Sequence, residues 1–193
     1  MYLEILCIAA YSYLLGSVPF GLILTKIFLN KDLRGIGSGN IGATNVLRTG
    51  KKSLSFFTLL LDGLKAYISI AVTFIYNPDY IYLSALLCIL GHIFPIWLRF
   101  RGGKGIAVFL GLLFGLSIKF AILFIICWCF VLYVTKYSSV SSLVSTGVIF
   151  LYSIYLNNYL EYVFFFIILV IVIYTHRVNI VRLKNKTEKK INL

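Results

Sequence analysis

Acidic side chains are scarce in this sequence: six Asp and Glu stand against eighteen Lys and Arg in 193 residues, and none falls between Asp32 and Asp62. Histidine occurs twice and cysteine four times, and Cys7, Cys88, Cys127 and Cys129 each sit inside an apolar run without CxxC or Cys/His spacing. A zinc site is thereby excluded, the cysteines read as small buried hydrophobes, and no metal or cofactor is expected. Charged residues of both signs make up only 12% of the chain against 61% hydrophobic, and the mean hydropathy is +0.97. These values exclude an ordinary soluble domain and imply an integral membrane protein. The net charge of +12 does not indicate nucleic acid, because Lys and Arg cluster in short segments between apolar runs, where membrane orientation accounts for them. There is no basic stretch ahead of the first apolar run, which is also too long for a signal-peptide core, so that segment is expected to be retained as a span.

What is present is a succession of apolar stretches over residues 5–25, 53–76, 80–98, 105–135, 137–160 and 162–175. A spanning helix needs about 20 apolar residues. Taken as six spans, the basic tail beyond His176 falls opposite the loops that hold Arg48 and Lys104. If 105–135 instead folds as two helices parted near Ser117, Ile118 and Lys119, the basic segments 29–52, 99–104, 135–142 and 176–193 share the cytoplasmic side, while Glu4, Asp79, Lys119 and Glu161 lie outside. At 1.5 Å per residue that stretch spans only ~46 Å for two crossings, so both helices must be short or tilted. The expectation is an all-α integral membrane protein of about seven transmembrane helices, N-terminus outside and C-terminus cytoplasmic. No linker, repeat or low-complexity segment marks a boundary, so residues 1–193 are expected to form a single transmembrane domain.

Polar residues in such a chain need a reason. GSGNIGATN, residues 37–45, crowds three glycines and two asparagines into nine positions flanked by Arg34, Arg48, Lys51 and Lys52. Gly37, Gly39 and Gly42 satisfy GxGxxG in letters only, since a dinucleotide fingerprint needs a strand and a βαβ unit. A Walker A loop is also missing. The shared physics remains: glycine lets backbone N–H groups converge on phosphate oxygens, Ser38, Asn40, Thr44 and Asn45 add donors, and Arg48 supplies a bidentate charge. RFRGGKG, residues 99–105, runs straight into an apolar helix, where unpaired amides and the helix dipole favour phosphate and Lys104 adds a point charge. By itself it reads equally as a tight basic turn. Two such loops on one membrane face suit two phosphorylated substrates, or a substrate and a leaving group.

On a continuing helix His176 and Asn179 share a face, with Arg182 close to it. His176 suits proton transfer near neutrality, although spacing alone leaves a packing role equally open. In SSVSS, residues 138–142, helix capping is the commoner use of serine and phosphate donation the rarer. Asp62 and Lys65, three apart inside a span, read as a mutually neutralising structural pair. His92, three residues before Pro95, reads as a partner for backbone freed by the kink or as a substrate contact, the structural role being preferred.

GSVPFG at 16–21, DLRGIGSGNIGATNVLRTGKK at 32–52, GHIFPIWLRFRGGKGIA at 91–107 and HRVNIVRL at 176–183 together closely resemble the bacterial acyl-phosphate:glycerol-3-phosphate acyltransferase family, PlsY. The resemblance implies a multi-pass bacterial inner-membrane enzyme, its active site facing the cytoplasm, that moves a fatty acyl group from acyl phosphate to the sn-1 hydroxyl of glycerol 3-phosphate, giving lysophosphatidate. It implies that Ser38 and Arg48 are essential, that Gly102, Gly103, Lys104 and Gly105 form the glycerol-phosphate loop, that His176 and Asn179 serve activity, and that Glu188 is structural. Ser139 and Ser142 are placed at the site, with Arg182 among the phosphate-facing cations. Lys186 stands where the family pattern leads one to expect glycine. The substrates, membrane lipid and no nucleic acid are the expected partners, and a monomer is expected. Residues five after His92 and His176 are Trp97 and Val181, so the HxxxxD dyad of acyl-CoA-using acyltransferases is missing and acyl-CoA is disfavoured as donor. Direct transfer is preferred to an acyl-Ser38 intermediate, because no adjacent base is evident; the proton acceptor is His176 or a substrate phosphate. A transporter of organic phosphates is the rival class, but its binding site would sit near the midplane, often between inverted repeats.

Overall fold

A computed structural model describes residues 2–191. Among them the secondary structure is entirely helical, and the chain divides into two compact units, Met1–Leu116 and Ser117–Leu193.

The first unit holds α1 (Tyr2–Ser17), α2 (Phe20–Leu29), the short α3 (Ala43–Leu47), α4 (Lys52–Tyr76), α5 (Ile81–Ile93) and α6 (Ile106–Leu116). Pro19, which has no N–H to donate, parts α1 from α2. Helix α4 is an inside-out amphipath. Thr58, Asp62, Lys65, Ser69 and Thr73 are buried, while Phe56, Phe57, Leu60, Leu64 and Phe74 are exposed. In water that arrangement would be unstable; facing lipid it is the expected one. The inner hydroxyls join helices directly. Ser12 Oγ donates to Ser84 Oγ at 2.9 Å, Ser69 and Ser84 lie 2.9 Å apart, and Tyr11 is hydrogen-bonded to Thr73. Small residues admit close backbone approach: a Cβ on Gly16 would strike the Cys88 carbonyl, one on Gly91 the Tyr13 carbonyl, and one on Gly111 that of Gly63.

The same contacts fix direction. Ser12 and Gly16 meet Ser84 and Cys88 in order, so α1 and α5 run parallel; Tyr11 meets Ser69 while Gly21 meets Thr58, so α4 runs against them; Gly111 and Gly115 meet Gly63 and Ile70, so α6 runs with α4. The chain from α2 to α4 and the chain from α5 to α6 therefore emerge at one end of this unit.

The second unit contains α7 (Ile118–Thr135), α8 (Ser138–Tyr155), α9 (Tyr159–Thr175) and α10 (Arg177–Lys184). Helix α8 repeats the inverted pattern, burying Ser139, Ser141, Ser142, Ser145, Thr146 and Ser153 and exposing Val144, Leu151 and Tyr155. Phe120 packs on Phe165 and Tyr152 with ring centroids 4.8 and 5.6 Å apart, tying α7, α8 and α9 together.

The break in the stretch 105–135 falls at Ser117, where the backbone is extended. Among the described residues five helical stretches, Tyr2–Leu29, Lys52–Tyr76, Pro78–Leu98, Ile118–Thr135 and Ser138–Tyr155, are long and apolar enough to cross a membrane, or six if the pair α9 and α10, bent by 58°, counts as one; Ile106–Leu116 is a shorter apolar helix of 11 residues. The cysteine expectation needs correcting. Cys88 alone is buried, while Cys7 and Cys129 are exposed, because apolar side chains in these helices also face outward.

Candidate active site

The loop between α2 and α4 is organised around one side chain. Asn45 is 1% exposed; its Nδ2 donates to the carbonyls of Leu33, Ile36 and Asn40 at 3.2, 2.9 and 2.7 Å, and its Oδ1 accepts the Ser38 amide at 2.9 Å. Gly37 and Gly39 have φ of +59° and +75°, conformations that suit glycine. Underneath, Leu33, Ile41, Val46 and Leu54 form a buried cluster against which Leu98 of the other loop packs. The Asn45 amide, expected to add a phosphate donor, is thus occupied in holding the loop's shape, and the Ser38 and Gly39 amides are likewise paired inside the loop. Asn45→Ala should lower stability by about 3 kcal/mol, since three carbonyls and one amide lose their partner where water cannot replace it. Thermal unfolding of the purified variant in detergent measures it.

Two arginines flank this loop and differ in what they touch. Arg34 Nη2 lies 2.6 Å from Asp32 Oδ2, and the Arg34 side chain and then its amide hold the Asp32 carboxyl down at about 2. Arg34's charge is therefore answered locally. Arg48 closes α3 with its Cδ over Gly37, where a Cβ would come within 2.9 Å. Among the described residues its guanidinium has no carboxylate partner. Ser38 and Arg48 are both half-buried at the rim of the loop, with Asn40, Gly42 and Thr44 around them.

The second loop closes on the end of α5. Pro95 stops that helix, and the carbonyls left over are taken by the glycines: Gly102 N donates to Ile93 O at 2.9 Å and Gly103 N to His92 O at 3.0 Å. The expectation that these amides face a phosphate is corrected by those bonds. Arg99 and Phe100 both adopt φ near +50° to +60°, an uncommon strain for non-glycine residues; bonds from the Arg99 and Phe100 amides to Ile96 O and Pro95 O hold them there. Gly105, at φ +85°, leads into α6 with Lys104 before it.

Behind this loop lies a buried ionic cluster. Lys65 Nζ donates to Asp62 Oδ1 at 2.7 Å, as the i,i+3 spacing anticipates, and also to Val18 O at 2.7 Å and His92 Nδ1 at 3.1 Å. His92 therefore bonds through its ring to Lys65 and not to the backbone freed at the kink, whose carbonyls are taken by Gly102 and Gly103. The sequence signal for this was an i,i+3 charge pair and a histidine inside spans, each legible alone but not as partners.

In the second unit the helix does not continue through His176. It bends by 58° there, so His176 and Asn179 do not share a face of one straight helix. His176, 2% exposed, places Nδ1 2.9 Å from Val172 O; a carbonyl only accepts, so Nδ1 carries the proton and Nε2 is the basic nitrogen. Asn179 Nδ2 donates to Glu188 Oε1 at 2.6 Å and Ser139 Oγ donates to the same oxygen at 2.9 Å. Capping by the SSVSS serines is not what occurs. Tyr137 is the N-cap of α8 without a side-chain bond, Ser142 Oγ donates to Ser138 O at 2.8 Å, and Trp128 Nε1 donates to Ser142 Oγ at 3.2 Å. Lys186 has φ +57°, the left-handed conformation that makes glycine the natural occupant. Arg182 lies on α10, its carbonyl accepting the Thr187 amide at 2.8 Å.

Within the first unit, then, the Ser38/Arg48 loop and the Lys104 loop share one end and meet through Leu98; within the second, Ser139, Asn179 and Glu188 form one hydrogen-bonded group near His176. Comparison with known proteins bears on what these groups serve. Residues 6–186 match a family model described as glycerol-3-phosphate acyltransferase. A glycerol-3-phosphate acyltransferase from Pelagibacter ubique (strain HTCC1062) is 53% identical over 188 residues, covering 97% of this chain and 98% of that protein. One from Ehrlichia canis (strain Jake) is 46% identical, covering 95% and 97%. Crystal structures of PlsY (YgiH), an integral membrane glycerol 3-phosphate acyltransferase, superpose with TM-scores of 0.92 in the glycerol 3-phosphate form, at 32% identity, and 0.89 in the lysophosphatidic acid form, at 30% identity, each covering 98% of this chain and 96% of theirs.

Proposed function

The chain belongs to the glycerol-3-phosphate acyltransferase family, and from that premise we propose that it transfers a fatty acyl group from acyl phosphate to the sn-1 hydroxyl of glycerol 3-phosphate, giving lysophosphatidate and phosphate. The hydroxyl oxygen attacks the acyl carbonyl carbon, the ester C–O bond forms, and the carbonyl's bond to the phosphate oxygen breaks. The hydroxyl proton passes to the departing phosphate, directly or by way of the His176 imidazole. An acyl phosphate is already activated, so the protein's contribution is to place two anions together and stabilise the charge that develops.

The observation that carries this reading is the location of both glycine-rich basic loops at one end of the first unit, on helices whose outer faces are apolar. Arg48 and Ser38 are assigned to the reacting phosphate and carbonyl, and Lys104 with Gly105 to the acceptor phosphate. Asn45, Gly102 and Gly103 shape these loops. His176, Asn179, Ser139, Ser142 and Arg182 are assigned to the same reaction, Glu188 fixing the side chains of Ser139 and Asn179. The glycerol 3-phosphate and lysophosphatidic acid forms of the relative support the acceptor and the product. The positive-inside rule, applied to the basic loops, supports assigning the reaction to the cytoplasmic face of a bacterial inner membrane.

Purified full-length protein in lipid should make 1-acyl lysophosphatidate from acyl phosphate and labelled glycerol 3-phosphate, and none from acyl-CoA. Absence of product from acyl phosphate, or equal product from acyl-CoA, defeats the donor assignment.

A further inference from the structure

The Asp62, Lys65 and His92 cluster has no part in the chemistry above, yet it stands directly behind the loop that carries Lys104. We propose that His92, oriented by Lys65, is a positioning residue that sets the conformation of residues 102–105 and through it the affinity for the acceptor phosphate; this rests on the assignment of that loop to glycerol 3-phosphate.

An ammonium has three hydrogens, and Lys65 has three acceptors, Asp62 Oδ1, Val18 O and His92 Nδ1, at 2.7, 2.7 and 3.1 Å. Since an ammonium only donates, Nδ1 of His92 accepts and its proton resides on Nε2. That choice also fixes the ring plane, because an imidazole is otherwise free over a broad range about its second torsion. The Nε2 edge so presented abuts Gly103. For a Cβ built on Gly103, the three nearest atoms are all in the His92 ring, and Nε2 would overlap it. The backbone of the same two residues is joined as well, Gly103 N to His92 O and Gly102 N to Ile93 O at 3.0 and 2.9 Å. His92 thus grips the loop through its carbonyl and covers Gly103 with its ring, and Lys104 follows immediately.

The cluster's cost argues that it does more than fill space. A buried ion pair contributes little net stability against apolar residues of equal volume, and ionised groups within membrane spans are expensive and commonly functional. Three elements, the α1–α2 break at Val18, α4 and α5, meet at one ammonium whose remaining effect is to hold an imidazole against a glycine.

The test is steady-state kinetics of full-length His92→Ala and His92→Asn in lipid, with both substrates varied. Asn keeps an acceptor near Lys65 but is too short to cover Gly103, so it guards against a variant that fails to fold. Both should raise KM for glycerol 3-phosphate about 10- to 100-fold, the scale of loss from misplacing a binding group by an ångström, with KM for the acyl donor changed by less than about threefold. Gly103→Ala should be severely impaired alone and recover at least about tenfold when combined with His92→Ala, because the obstructing ring is gone. Unchanged KM for glycerol 3-phosphate in both His92 variants, equal rises for both substrates, or no recovery in the double variant would each overturn the proposal. Lys104→Ala is run alongside: if it raises KM for glycerol 3-phosphate while the His92 variants do not, positioning alone is wrong; if it does not, the loop assignment falls and takes this proposal with it.

Discussion

Arg48→Ala is expected to remove essentially all turnover, by at least about a thousandfold, while the protein remains folded. The two halves of that statement have separate causes. Arg48 is half-buried at the end of α3, its stem lying over Gly37, and among the described residues no carboxylate neutralises it. Its loss breaks no ion pair, and the loop is held by Asn45 and the Leu33, Ile41, Val46 and Leu54 cluster. What disappears is the planar fork proposed to hold phosphate as it departs and charge develops on it. Arg48→Lys restores charge without the fork and should recover only a small part of the rate. Initial rates with acyl phosphate, together with unchanged thermal unfolding, check both halves. Full activity in Arg48→Ala would remove this residue from the site.

Lys65→Met should have the largest effect on stability, about 3–5 kcal/mol, because it strands the Asp62 carboxylate in an apolar interior. The side chains of Asp62 and Lys65 are each 1% exposed, so water cannot compensate. Val18 O and His92 Nδ1 lose their donor at the same time. Adding Asp62→Leu removes the orphaned charge and should restore most of the folded protein, though not the His92 orientation. Thermal unfolding of the single and double variants gives the comparison; a single variant as stable as the parent would show that Asp62 is already uncharged or solvated. The double variant should then be folded but weak in glycerol 3-phosphate affinity.

The helical membrane architecture was legible because apolar runs of spanning length have few other uses, and the pairing of Asp62 with Lys65 followed from their spacing. Sorting the basic loops to one side called for an interruption near Ser117, Ile118 and Lys119, and the helix breaks at Ser117. The glycine-rich loops were recognised, but the assignment of their amides was not, since an asparagine that donates outward and one that fills a loop look identical in sequence. Asn45 is the second kind. Likewise Gly102 and Gly103 satisfy carbonyls released where Pro95 ends α5, a tertiary consequence that no local pattern reports. The bend at His176 was missed because nothing in THRVN breaks a helix. The serines of α8 were misread as caps because back-bonding to the preceding turn, as Ser141 does to Tyr137 O at 2.9 Å and Thr146 to Ser142 O at 2.8 Å, also satisfies a hydroxyl.

That back-bonding, and the location of Asp62 and Lys65 on one helix, bear on how the nascent chain enters the bilayer. A segment several of whose hydroxyls are satisfied by its own carbonyls, as Ser141, Ser142, Thr146 and Ser153 are in α8, or whose carboxylate and ammonium lie one turn apart, presents the translocon with less exposed polarity than its composition suggests. Helices α4 and α8 can therefore partition into lipid singly, as they leave the ribosome, and acquire Val18, His92 and Trp128 as neighbours only during later assembly.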